Sequence, residues 1–182
     1  GNAMANVVFG NVNPSGKLPV TFPKKLEDNP SYGYYPGDKK VFYDEGIYVG
    51  YRHYDTKNVD PLFPFGHGLS YTKFDYGPIA GPSNIVSGEK INLSITVKNS
   101  GQRKGKDVVQ CYIRDMESSI DRPNKELKAF QKVTLEPNES KLIKISLDET
   151  ALSFFDPGYN SWVVEHGKFE ILIGSSSRDI RS

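Results

Sequence analysis

Pairs of neighbouring carboxylates are the residues of this 182-residue chain that come nearest to a catalytic arrangement. Hydrolysis of a glycosidic bond, for example, uses two carboxyl groups about 5–9 Å apart, one acting as acid and the other as base or nucleophile. Adjacent side chains on a strand point to opposite faces, so sequence neighbours do not form such a pair unaided. Charged side chains are mostly exposed, and we expect only structural roles for the three clusters, Asp44-Glu45, Asp115/Glu117 and Asp148-Glu149.

Other chemistry-bearing motifs are incomplete. Residues 10–17 resemble a phosphate-binding loop, but the glycines lie one residue too far apart and Leu18 stands where Ser or Thr would bind magnesium. The histidines share no ligand spacing, so nothing predicts a metal or another cofactor; they are His53, His67 and His166. Cys111, the only cysteine, lies between apolar residues in a predicted strand and reads as an inert core thiol.

Two further features concern sugars. Trp162 could stack on a sugar ring, but we expect it to be buried, as tryptophans in a β-sandwich commonly are. Asn92-Leu-Ser94 and Asn138-Glu-Ser140 match the glycosylation acceptor pattern, and the sequence leaves open whether either asparagine is modified.

Composition excludes several classes of partner. The chain has 23 basic and 22 acidic residues, so its net charge of +1 gives no electrostatic basis for binding nucleic acid or an anionic membrane. No apolar run approaches the roughly 20 residues of a membrane span. With 37% hydrophobic residues and no polar low-complexity tract, the chain is predicted to fold. The compartment is left open.

Alternation of apolar and polar residues dominates from about residue 74 onward. Ile91, Leu93, Ile95 and Val97 alternate with polar neighbours and end at a turn signal, Asn99-Ser100-Gly101. Further strands are predicted at 107–115, 127–135, 140–147, 161–165 and 168–173. Six or seven short strands without a convincing helix among them predict an antiparallel β-sandwich.

The start of the chain follows a different pattern. Apolar side chains share one helical face, those of Ala3, Met4, Val7 and Val8. Gly10 suits the end of that helix, and residues 18–22 follow as a short strand made irregular by Pro19. A two-turn helix is marginal alone in water, so we expect it to be the tail of an element with upstream partners.

Residues 23–72 hold five prolines and eight tyrosines. Regular elements cannot run far through so many breakers, whereas flexible linkers are poor in aromatic residues. The segment is therefore predicted to be a long ordered connector lying on a neighbouring surface, and its removal is expected to make residues 73–182 more soluble.

Several motifs together resemble family 3 of the glycoside hydrolases. Residues 1–23 (GNAMANVVFGNVNPSGKLPVTFP) resemble the end of that family's α/β-sandwich domain. Residues 43–52 (YDEGIYVGYR) and 64–72 (PFGHGLSYT) look like its connector. Residues 122–133 (RPNKELKAFQKV) and 174–181 (GSSSRDIR) are similar to its fibronectin type III-like domain.

The resemblance implies a mainly β chain in three parts. Residues 1–22 would be a helix-turn-strand remnant of the α/β domain, and residues 23–72 the connector. Residues 73–182 would form an immunoglobulin/fibronectin III-like antiparallel β-sandwich. One departure from the family is expected, because no strand is predicted after residues 174–181, where the family usually adds one.

The resemblance also implies that catalysis happens elsewhere. The family's nucleophile is an aspartate in an N-terminal barrel, and its acid/base glutamate lies upstream of the motif at residue 1, so no catalytic residue is carried over. The whole enzyme would be a retaining β-glucosidase without metal or cofactor, and this chain would stabilise its catalytic portion. Aromatic side chains dominate interfaces, so Tyr43, Tyr51, Phe63 and Phe65 are predicted to dock on that N-terminal catalytic portion, which binds the substrate.

Two alternatives stay open at this point. The same family includes β-xylosidases and α-arabinofuranosidases, whose specificity would lie in the barrel. A stand-alone carbohydrate-binding or adhesion module is a different class, and fold alone permits it. That module would need aromatic residues arranged as an open sugar platform, whereas docking residues would be covered by a partner.

Overall fold

Nine β-strands and two short α-helices form the chain, and the computed structural model describes all residues from 1 to 182. The helices are α1 (Asn2–Val8) and α2 (Tyr51–Thr56), and single 3-10 turns occur at Leu26–Asp28 and Glu149–Ala151. The strands are β1 (Phe74–Tyr76), β2 (Ile91–Asn99), β3 (Gly105–Asp115), β4 (Glu126–Leu135), β5 (Ser140–Leu147), β6 (Phe154–Asp156), β7 (Ser161–Val163), β8 (Phe169–Ser176) and β9 (Asp179–Ile180). At seven and six residues, both α-helices fall far short of a membrane-spanning length.

Two antiparallel sheets enclose one core. One sheet has the strand order β1-β2-β5 and the other β4-β3-β8-β9, while β6 and β7 form a separate hairpin. Fourteen buried apolar side chains, thirteen from the two sheets and Leu152 from the loop after β5, make a single cluster between the sheets. The arrangement confirms the predicted mainly β, antiparallel sandwich.

The core follows from the alternating pattern of the sequence. Three cross-strand pairs of β2 and β5 point inward together: Ile91 with Leu147, Leu93 with Ile145, and Ile95 with Ile143. Burying each such side chain stabilises the fold by about 1.5–3 kcal/mol relative to leaving it exposed. Alternate residues of β2 are exposed, because that strand has only one face toward the core.

The shortest strands were not predicted. β1, β6 and β9 have only two or three residues each, too few to show a period. β9 pairs with β8 and lies within residues 174–181, where no strand was predicted; it leaves the expectation that no strand follows these residues unchanged. β7 ends at Val163, two residues earlier than predicted, since it pairs only with the three residues of β6.

The opening residues form the predicted helix but not a full strand. α1 ends before Gly10, whose φ of +75° suits a residue without a Cβ, and none of the helix side chains is buried. Residues 18–22 reduce to a single bridge between Phe22 and Phe63, because Pro19 has no N–H to extend a ladder.

Candidate interdomain interface

Both faces of β3 are buried, although the sequence predicted only one. Val109, Cys111 and Ile113 face the core, as expected, while Gln110 and Tyr112 on the opposite face are also buried. No second sheet lies on that outer face. It is covered by residues 51–66, here called the covering segment, which comprise α2 and the chain that follows it.

Aromatic rings and polar groups attach the covering segment to the sheet. The Tyr51 ring stacks on Phe65 with centroids 4.9 Å apart and meets the Tyr112 ring edge-on at 5.9 Å. The Tyr51 hydroxyl accepts a 2.8 Å hydrogen bond from the backbone N–H of Leu127 in β4. The backbone N–H of Ser177 donates to the carbonyl of Phe65 at 2.9 Å. Tyr51 therefore joins two strands and the covering segment.

Gly66 lets the covering segment approach the sheet closely. Its φ is +80°, and a Cβ at this position would overlap the side chain of Gln110. The Gln110 amide donates to the carbonyls of Gly66 and Ser175, and its oxygen accepts the hydroxyl proton of Tyr112 at 2.6 Å. The amide nitrogen and oxygen of Gln110 thus both have hydrogen-bond partners, as buried polar groups generally do. Burial is also the main cause that raises the pKa of Tyr112, so its hydroxyl stays protonated.

An ion cluster holds α2. The side chain of Asp55 is only 3% exposed and contacts Lys125 at 2.7 Å and the guanidinium of Arg178. Arg178 also donates to the carbonyls of Tyr54 and Val59, at 2.9 and 3.0 Å. Arg178 therefore both neutralises Asp55 and binds carbonyl groups at the C-terminal end of α2, where a cation is favourable.

A second ion cluster links α2 to β4. The Glu126 carboxylate contacts Arg52 of α2 at 2.8 Å and Arg122 at 3.1 Å, and Arg122 also pairs with Asp115 at 2.8 Å. Burial works against ionisation of Glu126, but Lys128 and the two arginines outweigh it and hold the pKa of this carboxyl below its usual range. Charged pairs that bury both partners this way give geometric specificity more than net stability.

The opening segment is tied to the sandwich by Lys17. Its ammonium pairs with Asp107 at 2.9 Å and donates to the carbonyl of Ser175 at 3.0 Å. Asp107 accepts a further hydrogen bond from the hydroxyl of Tyr76 at 2.9 Å. Nearby, the Asn13 side chain donates to the carbonyl of Lys104. These contacts fix residues 13–17 against the start of β3.

Residues 1–72, taken as a whole, leave most of their large apolar side chains in solvent. Nineteen of the 29 large apolar side chains that are exposed lie in this part, and Tyr54 is its only buried apolar residue. Large contiguous apolar patches on a soluble protein mark interaction sites. The sandwich covers one side of this segment and leaves the remainder open to a partner.

The four predicted docking residues divide into two pairs. Tyr43 is 82% exposed and Phe63 is 42% exposed, so both are open to a partner. Tyr51 and Phe65 are half-buried and pack on the chain's own sandwich. For all four, contact with a catalytic portion stays a prediction.

Two of the three carboxylate clusters, Asp115/Glu117 and Asp148-Glu149, are engaged in local structure. Asp148 accepts the backbone N–H of Thr150 and caps a 3-10 turn, while Glu149 accepts the N–H of Gly88. Asp115 is paired with Arg122, as described above. No group of three or more potential ligands is arranged to hold a metal ion.

Trp162 does not behave as predicted from the sequence. Its side chain is 70% exposed, where a buried one was expected, because β7 belongs to a hairpin outside both main sheets. It contacts Phe155, its cross-strand partner, edge-on at 6.0 Å. The hydrophobic core is complete without it.

Comparison with known proteins assigns the family. The model of the glycosyl hydrolase family 3 C-terminal domain matches residues 1–71, and that of the fibronectin type III-like domain matches residues 107–177. Thermostable β-glucosidase B of Acetivibrio thermocellus is 55% identical over 182 residues, a match that covers 99% of this chain and 24% of that protein. The chain belongs to glycoside hydrolase family 3. β-Glucosidase BoGH3A of Bacteroides ovatus is 50% identical over 187 residues, covering 100% of this chain and 25% of that protein.

Solved structures of family 3 enzymes share the fold. A β-glucosidase of Bifidobacterium adolescentis superposes with a TM-score of 0.94 at 39% identity, over 100% of this chain and 27% of that one. β-Glucosidase 3B of Thermotoga neapolitana, solved with α-D-glucose, gives 0.91 at 43% identity, over 98% and 25%. The chain therefore spans about a quarter of these family 3 relatives and corresponds to their C-terminal part, including the fibronectin type III-like domain.

The motifs that carried the family resemblance are the ones that build the interface. Residues 174–181 supply Ser177 and Arg178, and residues 122–133 supply Arg122 and Lys125. The contacts of Lys125 and Arg178 with Asp55 of α2 were not deduced from the sequence, because nothing in a single sequence pairs Asp55 with an arginine 123 residues away. The presence of charged residues inside these motifs was the only signal.

Proposed function

We propose that this chain is the non-catalytic C-terminal portion of a retaining β-glucosidase. The whole protein would hydrolyse terminal non-reducing β-D-glucosyl residues through a covalent glycosyl intermediate, using two carboxyl groups supplied by the preceding catalytic portion. The names of the family 3 relatives support glucose as the sugar. In this chain, by contrast, Asp148 caps a turn and Asp115 pairs with an arginine.

The proposed role is to hold the C-terminal region against the catalytic portion. This role is supported by the two kinds of surface that residues 1–72 present. One binds the sandwich by ion pairs and hydrogen bonds, and the other exposes nineteen large apolar side chains to solvent. Residues 1–22 would complete the α/β domain, residues 23–72 would form the contact layer, and residues 73–182 would brace it. Substrate would bind only through the catalytic portion, with no nucleic acid or membrane involved.

The test compares the full-length protein with the 182-residue chain on aryl β-glucosides. Turnover is expected from the full-length protein and none from the purified chain, because both catalytic carboxylates lie outside it. Aryl β-xylosides and α-arabinofuranosides in the same assay test the sugar, and faster turnover of either would replace glucose in the proposal. Turnover by the chain alone would place catalytic residues within it and end the proposal.

A further inference from the structure

Phe130 is an exposed aromatic residue on a sheet face that the covering segment covers only in part. It lies in β4 directly opposite Gln110 of β3, and residues paired in this way point to the same face of a sheet. Gln110 is buried under Gly66 of the covering segment. Phe130 is nevertheless 70% exposed. The covering segment reaches the start of β4 at Glu126 and Leu127 but leaves this strand uncovered at Phe130.

A cluster of aromatic residues in residues 1–72 is linked to the uncovered part of the sheet at Phe130. Phe63 stacks on His67 with centroids 5.3 Å apart and meets Phe22 edge-on at 6.3 Å; these three residues form what we call the aromatic strip. His67 directly follows Gly66, which contacts Gln110, the neighbour of Phe130. Phe22 and Phe63 are each more than two-fifths exposed. Gly66 and Gln110 thus link the segment that carries the aromatic strip to the exposed Phe130.

We propose that Phe130 and the aromatic strip form one docking surface for the catalytic portion of the same protein. The inference rests on the proposed function and adds to it a position on the sandwich, the outer face of the β4 edge. Two observations favour this occupant. The chain spans only about a quarter of its relatives' length, and Phe130 pairs with Gln110, which binds the segment that leads into the aromatic strip.

Leu142 provides a matched control within the same domain. It lies in β5, an edge strand of the opposite sheet, opposite Thr96 of β2, and is 58% exposed. No residue of the connector or the opening segment pairs with that strand. The proposal therefore predicts that Phe130 is covered in the assembled protein and that Leu142 is not.

The experiment measures thiol accessibility in the full-length protein. Phe130→Cys and Leu142→Cys variants are labelled with a maleimide under native conditions and again in denaturant. The thiol introduced by Phe130→Cys is expected to react at least about tenfold more slowly than that from Leu142→Cys under native conditions, and equally fast after unfolding. Cys111, which is fully buried, reports in both variants whether the sandwich has stayed folded.

Three outcomes would overturn the inference. Equal fast labelling of both introduced thiols, with Cys111 still protected, would leave Phe130 in solvent. Protection at position 130 that disappears on dilution would mean that a second copy of the protein covers it. If Cys111 reacts in Phe130→Cys, thermal unfolding of Phe130→Lys and Leu142→Lys replaces the labelling, and equal melting temperatures would reject the docking surface. Glucosidase activity of the unsubstituted protein is measured separately, so either hypothesis can fail alone.

Discussion

At the scale of single residues, Asp55 is the anion around which the attachment of α2 is arranged. Its carboxylate is nearly inaccessible and is the counter-ion of both Lys125 and Arg178. An amide at this position would leave two cations facing each other without an anion. Removal of one partner from a buried ion pair is far more destabilising than the pair itself is stabilising.

Asp55→Asn is therefore expected to lower the free energy of unfolding by about 3 kcal/mol, at the lower end of the range for breaking a buried pair. Urea unfolding of the 182-residue chain, followed by tyrosine fluorescence, measures the change. Asp60→Asn is the matched control, because Asp60 is 75% exposed and lies 3.7 and 3.9 Å from its cationic partners. The control should differ from the parent by less than about 0.5 kcal/mol. Equal effects of the two substitutions would deny Asp55 this role.

The stability of the contact between α2 and β4 is expected to depend on pH through Glu126. Its folded-state pKa is depressed despite burial, because Lys128, Arg122 and Arg52 surround the carboxylate. Its ionised form therefore stabilises the fold fully above the unfolded-state pKa of about 4.3, and this contribution is lost as pH falls through the lower folded-state pKa. Glu126→Gln should destabilise the chain strongly at pH 7 and progressively less below pH of about 4.

Urea unfolding of the parent and of Glu126→Gln between pH 3 and pH 7 tests this dependence. Glu117→Gln serves as the comparison, because the Glu117 side chain is 53% exposed and 3.8 Å from Lys168. A stability difference for Glu126→Gln that stays constant down to pH 3 would contradict the expectation.

Residue-scale predictions from the sequence succeeded where the pattern is local. The inward residues of β2 and β3 followed from alternation, and Cys111 is buried, with burial raising the pKa of its thiol to about 12. Trp162 was expected in the core and is exposed, because burial depends on the sheet to which a short strand belongs. The partners of Asp55 could not be predicted either, since they are far apart in sequence.

At the scale of elements, the covering segment changes what truncation should do. The sequence predicted that residues 73–182 alone would be more soluble, since an exposed aromatic connector would be lost. The structure shows that residues 51–66 cover Gln110 and Tyr112, so cutting at residue 73 exposes a sheet face that is buried in the whole chain. For this part of the connector the structure favours the opposite outcome, and the solubility of residues 73–182 stays a prediction.

Two shortened chains separate the two halves of the connector. Residues 73–182 should aggregate and bind an apolar dye, whereas residues 50–182 keep α2 and Phe65 and lose the exposed tyrosines before them. Light scattering at equal concentration is expected to rank 50–182 as the most soluble of the three chains. If 73–182 is the most soluble, the covering segment does not protect the sheet in solution.

Strands long enough to show a period were predicted from the sequence, whereas α2 and the short strands β1, β6 and β9 were not. β2, β3, β4, β5 and β8 each span eight or more residues, and all five were identified. α2 was missed because it has six residues and lies between prolines, and its stability comes from contacts with β4 and Arg178. Such an element forms through tertiary contacts, as short helices generally do.

At the scale of the whole molecule, the chain exposes an extensive apolar surface. Most of its exposed large apolar side chains lie in residues 1–72, and its net charge of +1 provides little repulsion between copies. The 182-residue chain alone should therefore self-associate as its concentration rises, while the full-length protein should keep a constant mass per polypeptide. Light scattering coupled to gel filtration measures both, and a monodisperse monomer of 20.4 kDa at high concentration would contradict this expectation.

The position of Arg178 also fixes an order of events during synthesis. Residues 51–66 leave the ribosome well before β3 and β4, and long before the arginine that holds the C-terminal end of α2. Until residue 178 has emerged, Asp55 lacks one of its two cationic partners and Phe65 lacks its bond to Ser177. The connector is thus translated early but gains its last attachments only after residue 178 has emerged. A ribosome that stalls in β8 therefore leaves a chain whose connector has its contacts with Leu127 and Glu126 but not those with Ser177 and Arg178.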